Sequence, residues 1–135
     1  MDGTLRDRLR ADHRSLDELF GHLLAAASAG HAVAAAQAAA AFDEAMRRHM
    51  AVEEEHLLPL PPSRTLAAAE DETPAERLHR ELRLEHVQIR ELSAMIRRLL
   101  EDGRDVTGAL RLAGNLARRW DAHTGREERE ILSAD

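Results

Sequence analysis

The chain has 135 residues and a formal net charge of −6, with acidic and basic side chains interspersed and no basic stripe, so a nucleic-acid partner is not expected. It contains no cysteine, which excludes thiolate ligands, disulfides and cysteine nucleophiles. It can bury one core, it has no apolar run of membrane-spanning length, and Met1 to Arg10 is charged, so one cytoplasmic domain over residues 1–135 with no membrane partner is expected.

Alanine, leucine, glutamate and arginine dominate and β-branched residues are few, a mix that favours helix throughout. The first helix is predicted from Thr4 to Ala29, with Thr4 and Asp7 as a variant capping box and Gly30 as the residue past its end. Leu5, Leu9, Leu16, Phe20, Leu23 and Ala27 form its apolar seam, and His13 fills the gap between Leu9 and Leu16. The second helix is predicted from Ala32 to Leu58, stopped by Pro59, Pro61 and Pro62. Its seam reads Phe42, Met46, His49, Glu53 and Leu57, so a polar pair again occupies core positions. A loop over 59–71 is expected to hold a short helical turn around Leu66 to Glu70.

The third helix begins at Thr73 as N-cap, with Pro74 in first place and Glu76 closing a capping box. Its seam is Leu78, Leu82, His86, Ile89, Leu92, Ile96 and Leu99, ending at Gly103. The fourth begins near Asp105 and reads Val106, Leu110, Ala113, Leu116, Trp120, His123, Glu127 and Ile131. Gly108, Gly114 and Gly125 weaken it locally, and Gly125 either admits a close backbone approach or marks a bend.

These elements repeat. His49-x-x-x-Glu53-Glu54-x-x-Leu57-Leu58 returns as His123-x-x-x-Glu127-Glu128-x-x-Ile131-Leu132. Asp12-His13-x-x-Leu16-x-Glu18-Leu19 returns as Glu85-His86-x-x-Ile89-x-Glu91-Leu92. From His13 to His49 is 36 residues and from His86 to His123 is 37. The predicted fold is all-α: an antiparallel up-down-up-down four-helix bundle built from a duplicated helical hairpin with a pseudo-twofold axis. Each first-arm histidine lies 17 residues before its turn glycine, Gly30 or Gly103, and the second-arm histidines lie 19 and 20 after it. Antiparallel arms therefore bring His13, His49, Glu53, His86, His123 and Glu127 into one layer.

Two facing carboxylates inside an apolar core cost several kcal/mol each (order of magnitude) unless positive charge meets them. No Lys or Arg shares these seams. Residues four apart lie one turn apart on a single helix face, so a histidine can bind one metal while the following glutamate bridges to a second. Imidazole with carboxylate suits Fe, Mn or Zn, and bridging carboxylates in a bundle favour a di-iron or di-manganese centre. His22 and His31 are expected in solvent and His56 at the bundle end. His79, two turns from His86, is a further candidate ligand or proton relay. Glu55, Glu128 and Glu130 are expected to be solvated, and Glu54 to be solvated or an outer or fallback ligand.

The run from His13 to Leu132, and above all His49-Met-Ala-Val-Glu53-Glu54-Glu-His-Leu57-Leu58-Pro59, resembles the hemerythrin-like, HHE cation-binding family. The resemblance implies two iron ions in an oxo- or hydroxo-bridged centre. His13, His49, His86 and His123 would be terminal ligands, and Glu53 and Glu127 bridges. The oxygen carriers of that family have a second third-helix histidine in an H-x-x-x-H pair; here the flanking positions are Leu82 and Arg90. They also have an aspartate five residues after the last histidine, where this chain has Glu127 at four. The smaller donor set leaves an additional position for water, a carboxylate or a substrate.

The expected function is therefore binding of O2, NO or a related small oxidant for sensing, storage or protection. The alternatives are a di-iron oxidase, a peroxide-decomposing enzyme, an iron sensor, or a metal-free interaction bundle. The expected partner is a small diatomic or peroxide ligand, and the chain is expected to be a monomer or weak homodimer. Trp120, one turn before His123, is expected beside the centre, with Leu16, Phe20, Ile89 and Leu116 shaping an apolar pocket.

Overall fold

The computed structural model describes residues 3–103 and 105–133, so the ends of the expected 1–135 domain lie outside the described residues. Four α-helices follow one another: α1 (Gly3–Ser28), α2 (Ala32–His56), α3 (Pro74–Glu101) and α4 (Val106–Glu127). A π turn, Glu128–Leu132, continues α4. α1 packs on α2 and α4, and α3 packs on the same two, the ring expected of an up-down-up-down bundle.

Local chemistry sets the ends. Past α1, Gly30 takes φ +76°, while Gly30 N–H bonds Ala27 O at 3.1 Å and His31 N–H bonds Ala26 O at 3.0 Å, a Schellman closure. Gly103 repeats the left-handed conformation at φ +63°. Thr73 and Glu76 form the reciprocal capping box with Pro74 in the first turn. Asp105 caps α4 by accepting from Gly108 N–H at 2.7 Å. A Cβ at Gly108 would collide with that carboxylate, so this glycine serves the cap instead of merely weakening the helix.

Four details depart from expectation. α1 already includes Gly3, so Thr4 is a helical residue and not the N-cap. Residues 66–70 form bends and a turn without helix, and Leu66 is exposed. That loop is held from outside instead, by Arg83 donating to Leu58 O and by Arg64 paired with Asp71 and Glu76. At the facing ends of α3 and α4, Leu100 and Ala109 are buried where Leu99 and Leu110 were expected, and the latter two are partly buried. At the chain end Leu132 is fully buried in place of the expected Ile131. A π turn spends an extra residue per turn, so the core position after Glu127 falls five residues on, not four.

The core has two apolar slabs. The larger one contains Leu16, Phe20, Phe42, Met46, Ile89, Leu116 and Trp120 and runs toward the Gly30 and Gly103 turns. The smaller one is Leu9, Leu57, Leu58, Leu82 and Leu132. Between them lies a layer of six buried polar side chains.

Candidate metal centre

Those six are His13, His49, Glu53, His86, His123 and Glu127, each at most 5 % exposed. They fall into two groups, His13–His49–Glu53–Glu127 and Glu53–His86–His123–Glu127, within each of which the donor atoms lie within 4.8 Å of one another. Both glutamates belong to both groups. Glu53 Oε2 lies 3.4 Å from His13 Nε2 and 3.1 Å from His49 Nε2, while its Oε1 lies 3.2 Å from His86 Nε2. Glu127 mirrors this. Its Oε1 is 3.3 Å from His13 Nε2, and its Oε2 is 3.6 Å from His86 Nε2 and 3.3 Å from His123 Nε2. Each carboxylate thus spans the two groups, one oxygen to each.

The same Nε2 and carboxylate oxygens have no hydrogen-bond partner, although all are buried. Charge attraction acts over these distances, but no bond is aligned. A buried polar atom without a partner costs roughly 1–3 kcal/mol, more when charged. Here eight converge: four nitrogens and four oxygens, all lone-pair donors once the imidazoles are neutral. That chemistry fits a pair of cations, with two nitrogens and two oxygens offered to each.

Without metal, the imidazoles supply the positive charge. Burial alone would lower His13, but the facing carboxylates of Glu127 and Glu53 outweigh it and raise its pKa to about 10. For His86, burial is likewise overcome by Glu127, Glu53 and Glu54, again to about 10. His123 is raised against its burial by Glu127 and Glu85. In turn Glu53 and Glu127 are lowered: burial opposes ionisation, and the surrounding histidines prevail.

Each imidazole is oriented from behind through Nδ1. His49 pairs with Asp12 at 3.1 Å, His86 with Glu54 at 2.8 Å, His123 with Glu85 at 2.7 Å and His13 with Glu128 at 3.0 Å. An Nδ1–H donated to a carboxylate leaves Nε2 as the inward lone pair. Glu128, expected in solvent, therefore backs the cluster, and Glu54 takes an outer place on His86 Nδ1. The signal was present in the repeats: an acid precedes each first-arm histidine and follows each second-arm glutamate.

The other histidines stay apart. His22, His31 and His56 are exposed. His79 meets the carbonyl of Pro59 at 2.9 Å, pinning the loop, and does not join the cluster. Trp120 does sit beside the layer, with ring centroids 6.0 Å from His13 and 6.4 Å from His123 and its indole N–H on Asp17 at 2.8 Å. A separate buried acid, Asp43, went unnoticed in the sequence. Ser93, Arg47 and Arg97 satisfy it, which makes it a clamp between α2 and α3.

A helical bundle with two overlapping buried His/Glu clusters has the donor arrangement of a cation-binding bundle, consistent with a binuclear site. The chain matches the hemerythrin HHE cation binding domain over residues 4–134 and belongs to that family. No curated protein and no solved structure matches it. Among the described residues, no helix is long and apolar enough to cross a membrane.

Proposed function

We propose that His13, His49, His86 and His123 hold two iron ions, that Glu53 and Glu127 bridge them, and that the protein takes up O2, NO or a related small oxidant. The observation that carries this is the set of eight buried, unpartnered donor atoms divided evenly between two groups. Iron bound there would supply reversible electron release to a small oxidant, and manganese or zinc fits the same donors. The chain's own residues do the rest. The two carboxylates cancel part of the cationic charge, and the outer acids fix the tautomers. Trp120, Phe42 and the leucine slabs exclude water, which strengthens every charge interaction within.

Metal analysis with optical spectroscopy on protein made in iron-replete cells tests this. The expected result is two irons per chain and, after reduction, a coloured gas adduct that reverses when the gas is removed. Protein that holds no metal under those conditions would end the reading.

A second reading, repeated turnover of peroxide, is favoured by the missing third-helix donor. Leu82 is wholly buried in the small apolar slab, and Arg90 turns outward to Glu54. Neither offers a nitrogen lone pair, so the His86–His123 position would keep an additional site open. Sustained peroxide loss without a stable adduct is the outcome that selects it.

A further inference from the structure

The four outer acids form a ring with one direction. Asp12 on α1 serves His49 on α2, and Glu54 on α2 serves His86 on α3. Glu85 on α3 serves His123 on α4, and Glu128 after α4 serves His13 on α1. Each helix thus orients the imidazole of the next.

The ring is not uniform. Glu54 is met by Arg90 at 2.9 Å and Arg83 at 3.7 Å, Glu85 by Arg126 at 3.0 Å, and Glu128 by Arg10 at 3.1 Å. Each of these arginines lies on the same helix as the histidine being served. Among the described residues Asp12 makes no such pair; His49 is the one side chain paired with it. Its carboxylate faces a cleft of about 480 Å³ between α1 and α2, lined in part by Arg8, Arg48, Ser15 and Val52. Solvent does not account for the difference, because the Asp12 and Glu128 side chains are equally exposed, at 35 % and 37 %. The hairpin duplication does. Arg126 stands three residues after His123, and the residue three after His49 is Val52.

We infer that Asp12 is a positioning residue that makes the two metal positions inequivalent, because its uncompensated negative charge reaches the His13–His49 position through His49. This rests on the dimetal reading above. An acceptor on Nδ1 raises the basicity of a ligand imidazole, and a carboxylate neutralised by a guanidinium does so less. The His13–His49 position carries one uncompensated acid, while the His86–His123 position has both acids clamped, by three arginines in all. The metal at His13–His49 is therefore the harder of the two to reduce.

Spectroelectrochemical titration of the two-iron protein, with metal content measured in parallel, tests the assignment. Wild type is expected to show two separated one-electron reductions. Asp12→Asn should raise the lower potential and weaken metal affinity about 10–100-fold. Val52→Arg, which supplies the missing clamp and keeps the acceptor on His49, should raise the same potential with affinity retained. Glu85→Gln should act on the upper potential. Unchanged potentials in both Asp12→Asn and Val52→Arg, with two irons bound, would overturn this inference and leave the functional reading standing. Wild type with fewer than two metals would overturn both.

Discussion

At Glu53 both carboxylate oxygens face imidazole nitrogens, three within 3.4 Å. Removing the carboxylate leaves the inward Nε2 atoms of His13 and His86, both imidazoles raised to about 10 by their acid neighbours, facing Glu127 alone, with Glu128 and Glu54 holding only their Nδ1 sides. Breaking a buried pair from one side costs about 3–5 kcal/mol. Urea denaturation of metal-free Glu53→Ala should show a loss of that size, and metal binding should be abolished. Full stability retained would favour a metal-free interaction bundle instead. The inner six residues were legible in the sequence because a polar residue in an apolar seam is anomalous. Of the outer four only Glu54 was open to an outer role, since Asp12, Glu54, Glu85 and Glu128 are 23–37 % exposed and look like ordinary surface acids. Only their adjacency to a seam residue betrays them. Consecutive helical side chains point about 100° apart, which aims such an acid at the neighbouring helix.

At the scale of the element, the π turn decides which residue closes the small apolar slab. Leu132→Ala should cost about 2–5 kcal/mol, as for other fully buried leucines. Ile131→Ala should cost less than half as much, because Ile131 only borders the slab. Denaturation midpoints of the two variants check this, and the reverse order would restore the plain α-helical register. The sequence hid the offset because Ile131-Leu132 is an apolar doublet and satisfies either register. Its counterpart Leu57-Leu58 behaves alike: Leu58 N–H reaches back five residues to Glu53 O at 3.0 Å. Helix ends were easier to read. Thr73, Gly30 and Gly103 each act through chemistry confined to a few neighbours, whereas Thr4 failed as a cap because α1 already includes Gly3.

At the scale of the whole molecule, burial of opposite charges couples folding, protons and metal. His13 and His86 rise from 6.5 to about 10 on folding, so the stability they contribute is complete below about pH 6.5 and is lost as pH climbs toward 10. Glu53 and Glu127 are lowered from 4.5, so their contribution is present above that value and is lost as pH falls through the folded values. The metal-free protein should therefore melt highest between about pH 4.5 and 6.5 and decline steadily toward pH 10. Metal ligation needs neutral imidazole, so ions entering near neutral pH must displace the protons on His13 and His86 and part of that on the likewise raised His123, roughly two to three per chain. Adding metal to a weakly buffered solution with a pH indicator should record that release. Melting curves of the loaded protein should lose the alkaline decline. A metal-free melting temperature that stays level from pH 6.5 to 10 would mean that these histidines are neutral without metal, and that something other than their protons balances Glu53 and Glu127.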